Sequence, residues 1–456
     1  MLQVEKWKNI GALFFASLLL NFWAFYNRFP LVFPDTGTYL FSGFNNEPPA
    51  DRPIFYGWFV RHLSLAESLY LALFFQALIM AYLIWLWVWY FGAKQYQRVQ
   101  FLILVGILTF FTGASIQTSQ LIPDSFASTS ILAVGLLLFA KNLSRWHFWS
   151  STVLLILSLV MHNSHNFILW SAFVLLAILW WKQKGAIRSK AVALKLGAVL
   201  ACLLIAQFAI PTAHWLSGGG FVTSKASHVF LMNRMVDWGL VDQYLDDHCD
   251  TKDYKFCEYK DAIPRANFLW NFDESPLYKT GGWDANKEEY DEIIRNIVTS
   301  PRYWGQLILR SLEATMEQFF SYTVGDTTWK NGENSAPHAA IKAFFPEQER
   351  LYFWALQQRE ELEFSILDQH HRYLIGMALT LAVLIILGKN NYGGLRNLTL
   401  FVLVMLLANA AVCGILSGVF DRYQCRVVFV ILLPLFFLVW NISPIENWIK
   451  KLSNYA

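Results

Sequence analysis

Ten apolar runs divide this chain, and they leave few folds open to it. They cover approximately 9–27, 66–91, 100–116, 125–140, 147–161, 166–181, 193–211, 372–388, 397–415 and 427–441. A helix needs about 20 apolar residues to cross a hydrocarbon core, and several of these runs have that length. The pattern predicts an all-α polytopic membrane protein with about ten transmembrane helices. The first run follows Lys6 and Lys8 but lacks a small-residue cleavage site, so it reads as a retained helix rather than a removed leader.

Charge gives the runs a direction. Only 15% of the residues are charged, against about 25% in soluble domains. Counting turns from a cytoplasmic N-terminus, the inner turns carry fifteen Lys and Arg, from Lys6 to Lys451, against two acids, Glu5 and Glu446. Basic residues in short loops mark the cytoplasmic side. Both termini are therefore expected inside a cytoplasmic membrane, with the other face periplasmic or extracytoplasmic. Of the 33 acidic residues, 25 fall in 213–371, which also holds 15 Lys and Arg, a balance of −10.

Three blocks follow: helices 1–7 with a first outer loop at 28–65 (residues 1–212), an extracytoplasmic, mainly helical subdomain (213–371), and helices 8–10 (372–456). In the first outer loop, the aromatic stretch IFYGWFVRHL after Pro53 predicts a short helix in the membrane interface. In the subdomain, HVFLMNRMVDWGLVDQYLDDHC predicts a helix. Ser300–Pro301 predicts the start of another, whose apolar stripe Trp304, Ile308, Leu312, Met316 and Phe320 suits a bilayer surface. A helix is expected over about 347–368 and a loop over 324–346. Cys249 and Cys257 share the outer segment, where a disulfide or two thiols are the alternatives.

Four groups of polar residues sit at outer helix ends: Asp35 in PDTGTYL, Asp124 in LIPDSF, His162 and His165 in MHNSHN, and Asp421, Arg422 and Arg426 in FDRYQCR. Arg52 joins them from the first loop. Ionisable groups near a membrane face a cavity or each other. Each also has a structural alternative: Asp35 and Asp124 as helix caps, the histidines as a wet turn, the arginines as snorkelling groups. Guanidinium forks suit phosphate, and a carboxylate can take a proton from an attacking hydroxyl. Together these meet the needs of glycosyl transfer from a lipid-phosphate-linked sugar.

The layout resembles the GT-C superfamily of integral-membrane glycosyltransferases, which use polyprenyl-phosphate donors. The resemblance lies in PDTGTYL, in IFYGWFVRHL and in the arginines before the last helix. It implies that Asp35 acts as catalytic base or positions the acceptor. Arg422, Arg426 and Arg52 would hold the donor phosphate, and Asp124, His162, His165 and Asp421 would serve substrate binding. It also implies a polyprenyl-phosphate-linked sugar and a lipid or glycan acceptor as partners, with no nucleic acid. Asp35 is followed by Thr36 rather than by a second acid, which leaves a divalent cation open. The stretch from NRMVDWGLVDQYLDDHC to GGW is similar to a group of bacterial membrane proteins. The alternatives are an O-antigen-type polysaccharide polymerase or ligase, and a non-catalytic transporter.

Overall fold

The computed structural model describes residues 2–182, 190–265, 267–388 and 394–442. Among them the regular secondary structure is all helix. Its one β-type contact is an isolated parallel bridge between Leu31 and Gln120. Each of the ten apolar runs lies on helix: Leu2–Leu20 with Phe22–Tyr26, Leu69–Phe91, Gln97–Phe111, Ser125–Phe139, Arg145–Met161, Asn163–Lys182, Lys190–Leu216, Ser365–Leu387, Leu395–Leu416, and Asp421–Val428 continuing to Leu432–Ile442. Five segments are long and apolar enough to cross a membrane: Leu69–Phe91, Val192–Leu216, Ser365–Leu387, Leu395–Leu416 and Asp421–Trp440. Trp7–Leu20, Gln97–Phe111 and Ser125–Phe139 are apolar but shorter. The inner-side residues Lys184, Arg188, Lys389, Glu446, Lys450 and Lys451, and with them the C-terminus, lie outside the described residues.

These helices share one apolar core that includes Leu83, Leu104, Leu132, Leu155, Leu169, Leu203, Val402 and Val430. Helices in lipid associate through close packing, because lipid is as apolar as leucine. Gly135 shows this: a Cβ there would stand 2.5 Å from the Trp87 ring. Val192–Leu216 and Ser365–Leu387 have only 28% of their most apolar stretch buried, so most of that surface faces outward. Cations cap helix C-termini at one end of the bundle, where the helix dipole favours them. Lys195 Nζ donates to Leu138 O (2.9 Å) and Ala140 O (3.0 Å), and Arg396 Nη2 donates to Ile386 O (2.6 Å).

The opposite end is built from loops. Pro34–Asn45 and Phe55–Leu63 form as helices in the first loop. Tyr56, Phe59 and Val60 are buried against protein in a second core rather than turned outward. The two helices touch backbone to backbone: a Cβ on Gly43 would lie 2.2 Å from the Gly57 carbonyl oxygen. On the other side Gly37 admits the Ala336 carbonyl in the same way. Only glycine permits such approaches.

Residues 213–371 divide among three buried clusters. Ser227–Asp237, Leu240–His248 and Lys287–Thr299 surround their own cluster, with Tyr244, Tyr290 and Ile293 at its centre. Cys249 and Cys257 are disulfide-bonded beside it. The expected single helix over HVFLMNRMVDWGLVDQYLDDHC is two, because Gly239 takes a left-handed φ of 71° between them. Pro301–Phe320 forms as expected, and its stripe from Trp304 to Phe320 is exposed, while Ala314 and Gln318 press on Gly414 of Leu395–Leu416.

The remainder folds back on the first loop, and two expectations fail there. The expected loop 324–346 contains the helix Ala336–Phe344, started by Ser335 Oγ accepting from His338 N–H. The expected helix 347–368 stops at Trp354 and resumes at Ser365. Long-range bonds break it: Leu356 N donates to Asn27 O (3.1 Å) and Gln357 N to Asn27 Oδ1 (2.7 Å). Gln357 Nε2 then donates to Val32 O (2.7 Å), and its Oε1 accepts from Val32 N (3.0 Å).

Candidate functional site

Two short helices carry Asp35 and the two arginines Arg422 and Arg426. Pro34–Asn45 starts at Pro34, whose fixed φ suits a first helical position. Thr36 Oγ1 accepts from Phe33 N (3.0 Å) and donates to Leu121 O (3.0 Å), which fixes the first turn. Asp35 stands in that turn, where the helix dipole favours a carboxylate. Its role is not capping. Its Oδ2 lies 2.9 Å from Arg52 Nη1 and 3.8 Å from Arg422 Nη1.

Arg52 is held from three sides. Its Nε donates to Asp51 Oδ1 (3.0 Å), its Nη2 to Asp51 Oδ2 (2.5 Å), and its guanidinium lies 5.2 Å from the centre of the Tyr39 ring. Burial opposes the charge on Arg52, but Asp35, Tyr39 and Asp51 outweigh it and hold its pKa well above the ordinary value. Burial pushes the Tyr39 hydroxyl far up, so it stays a neutral donor.

Arg422 enters on Asp421–Val428, and its guanidinium lies 4.3 Å from the Phe33 ring centre and 4.9 Å from that of Tyr423. Such stacking is worth about 2 kcal/mol where water is excluded. The i, i+4 spacing of Arg422 and Arg426 is helical as expected, but the two do not form one fork. Arg426 is fully buried, with Nη1 donating to Asp124 Oδ1 (2.8 Å) and Nη2 to Ser164 Oγ (3.2 Å) and Asn409 Oδ1 (3.3 Å). Asp124 occupies the N-cap of Ser125–Phe139, but its side chain makes no bond to that helix. Burial works against its charge, but Arg426 and Arg422 prevail and hold its carboxyl below the usual range.

His162 and His165 flank this pair, with ring centres 5.5 Å apart. His162 Nδ1 accepts from Ser164 N (3.1 Å) and lies 2.8 Å from Ser164 Oγ, which carries the contact on to Arg426. Burial, then Arg426, Arg52 and Arg422, keep His162 neutral, with its pKa well below the ordinary value. His165 Nδ1 lies 2.8 Å from Ser158 O and therefore carries the proton. Its Nε2, Asp124 Oδ2 and Arg426 Nε are buried without partners. Asp421 points elsewhere: its Oδ1 accepts from Thr323 N (2.9 Å).

The structure thus joins Asp35, Arg52 and Arg422 in a partly open cluster. It joins Asp124, Arg426, His162 and His165 in a buried one. Sequence reasoning missed Tyr39, Asp51, Ser164, Asn409 and Tyr423. Tyr39 lies one helical turn beyond Asp35, so a helix drawn through PDTGTYL exposes that pairing. No comparable signal marks Ser164 or Asn409.

No family model, curated protein or solved structure matches this chain. The site is therefore read from its own residues. A divalent cation does not fit them: Arg52 lies between Asp35 and Asp51, and among the described residues no group of three His, Cys, Asp or Glu side chains is placed to hold a metal. What the open cluster offers is one partly exposed carboxylate, with two guanidiniums on the same oxygen and a buried phenol beside them.

Proposed function

We propose that this chain is a membrane glycosyltransferase of the GT-C kind. It moves a sugar from a polyprenyl-phosphate donor to an acceptor hydroxyl at the outer face of the cytoplasmic membrane. The observation that carries the reading is the meeting of Asp35 with Arg52 and Arg422, which come from opposite ends of the sequence. In this reaction the acceptor oxygen bonds to the anomeric carbon while the bond from that carbon to the phosphate oxygen breaks. The acceptor proton passes to Asp35, whose side chain is 25% exposed. The departing polyprenyl phosphate carries away the electron pair. Arg422 and Arg52 neutralise that charge where water is partly excluded, which makes each contact count for more. Arg426 and Asp124 are committed to each other, so their part is to position the helix that bears Arg422.

The topology belongs to the same proposal. All ten helices cross the bilayer, both termini are cytoplasmic, and the Asp35 cluster faces the periplasm. The Cys249–Cys257 bond supports an oxidising compartment for that face. A non-catalytic transporter draws support from the buried Asp124–Arg426 pair, since intramembrane charges mark transport pathways.

Protein reconstituted in vesicles and supplied with a polyprenyl-phosphate-linked sugar separates the two. Transfer of label to an acceptor glycan or lipid is expected from the native chain, and Asp35→Asn is expected to lower it by at least a hundredfold while the protein stays folded and inserted. Full transfer by that variant removes Asp35 from the chemistry. Binding of the lipid-linked sugar without turnover by the native chain favours the transporter.

A further inference from the structure

A second polar cleft lies above the bundle, where three elements meet without sealing. They are the end of Ser227–Asp237, the second half of Pro301–Phe320 and the turn that follows Leu395–Leu416. The cleft holds about 360 Å³, within the range of small-ligand sites, about 300–1,000 Å³. Arg234, Asp237, Trp238, Glu313, Glu317 and Phe420 line it.

Its chemistry is selective. The guanidinium of Arg234 is spent on Asp237 (2.8 Å) and on Gly414 O (2.8 Å), and that of Arg310 on Glu313 (2.9 Å). Three carboxylates face two paired cations, so a phosphate or carboxylate ligand meets net repulsion. The Arg234 Nε–H is buried with no acceptor, although buried donors in folded proteins are normally satisfied. Glu317 is exposed and supplies acceptor oxygens, and Trp238 and Phe420 supply aromatic surface. Many acceptors and aromatic rings together suit an uncharged ligand rich in hydroxyl groups.

The cleft also adjoins the Asp35 cluster through a chain of polar contacts. Ser417 on its wall has Oγ 3.0 Å from the Tyr423 hydroxyl. Arg422 Nη2 donates to that hydroxyl at 3.3 Å, and Arg422 Nη1 stands 3.8 Å from Asp35 Oδ2. Gln318 fastens the turn to the helix beneath it, donating to Phe420 O (2.9 Å) and accepting from Phe420 N (2.9 Å).

We infer that this cleft binds a neutral saccharide. Naming that saccharide the acceptor of transfer rests on the function proposed above, whereas its binding does not. The native chain in nanodiscs is titrated with the methyl glycosides of glucose, galactose, mannose and N-acetylglucosamine, and binding is read by saturation-transfer NMR and calorimetry. At least one glycoside is expected to bind saturably. Trp238→Ala and the surface variant Glu317→Gln are each expected to weaken it tenfold or more. Failure of all four to bind the native chain overturns the inference, and so does binding that survives Glu317→Gln and Trp238→Ala unchanged. Loss of transfer in Asp35→Asn bears on the proposed chemistry alone, because saccharide binding is measured without turnover.

Discussion

Two carboxylate–guanidinium groups lie close together at this end of the molecule, and they differ in what they leave free. Asp124 and Arg426 are 6% and 0% exposed; they bond each other, and Arg426 also reaches Ser164. Asp35 and Arg52 are 25% and 11% exposed, and Asp35 keeps surface toward the outside. A buried ion pair costs much desolvation and adds little net stability, but removing one partner strands the other charge. A partly exposed pair gains and loses less. The buried group therefore holds shape, and the open one is available to do chemistry.

The strongest way to break this comparison is to strand a charge. Arg426→Met leaves Asp124 buried alone and should cost about 3–5 kcal/mol. Thermal unfolding in detergent should show a large loss of folded protein. Adding Asp124→Leu should recover most of that loss, because the pair is then replaced by apolar groups. No recovery in the double variant would mean that the pair itself is stabilising.

Acid probes the same contrast more gently. His162 has a lowered pKa in the fold, from burial and then from Arg426, Arg52 and Arg422. Above its unfolded value of about 6.5 it is neutral in both states and contributes no pH dependence. As the pH falls below 6.5 the unfolded chain takes up the proton and the fold does not, so stability falls. The melting temperature of the native chain should drop between pH 7 and pH 5, and that of His162→Gln should drop less. Equal drops would assign the acid sensitivity to other groups.

The smallest structural effect is expected at the open pair. Asp35→Asn should change stability by about 1 kcal/mol or less, measured in the same detergent unfolding. Its effect should appear in transfer instead. A loss as large as that of Arg426→Met would place Asp35 among the residues that hold the fold.

Much of this arrangement was legible in the sequence, for identifiable reasons. Helices in apolar runs are set by local composition, so each apolar run lies on helix, and five described segments are long and apolar enough to cross a membrane. Asp35, Arg52 and Arg422 stood out because charge is scarce near apolar runs. Gln357 and Asn27 did not, because neutral amides are ordinary in loops and their bond spans 330 residues. That same bond explains why a plausible helix over 347–368 is broken: a local preference lost to a distant partner. Asp124 looked like a helix cap because its position is one, and only Arg426, 302 residues away, reveals its other use.

The Gln357 clamp has a consequence for how the protein is made. It ties Val32, three residues before Asp35, to a segment synthesised 325 residues later. Arg422 follows later still. When the first helices leave the ribosome and enter the membrane, the loop bearing Asp35 has none of its eventual neighbours from that side. Such long-range closure is slow compared with local helix formation. The Asp35 cluster is therefore complete only when the last helix arrives, so a chain interrupted before that helix has apolar helices but no finished site.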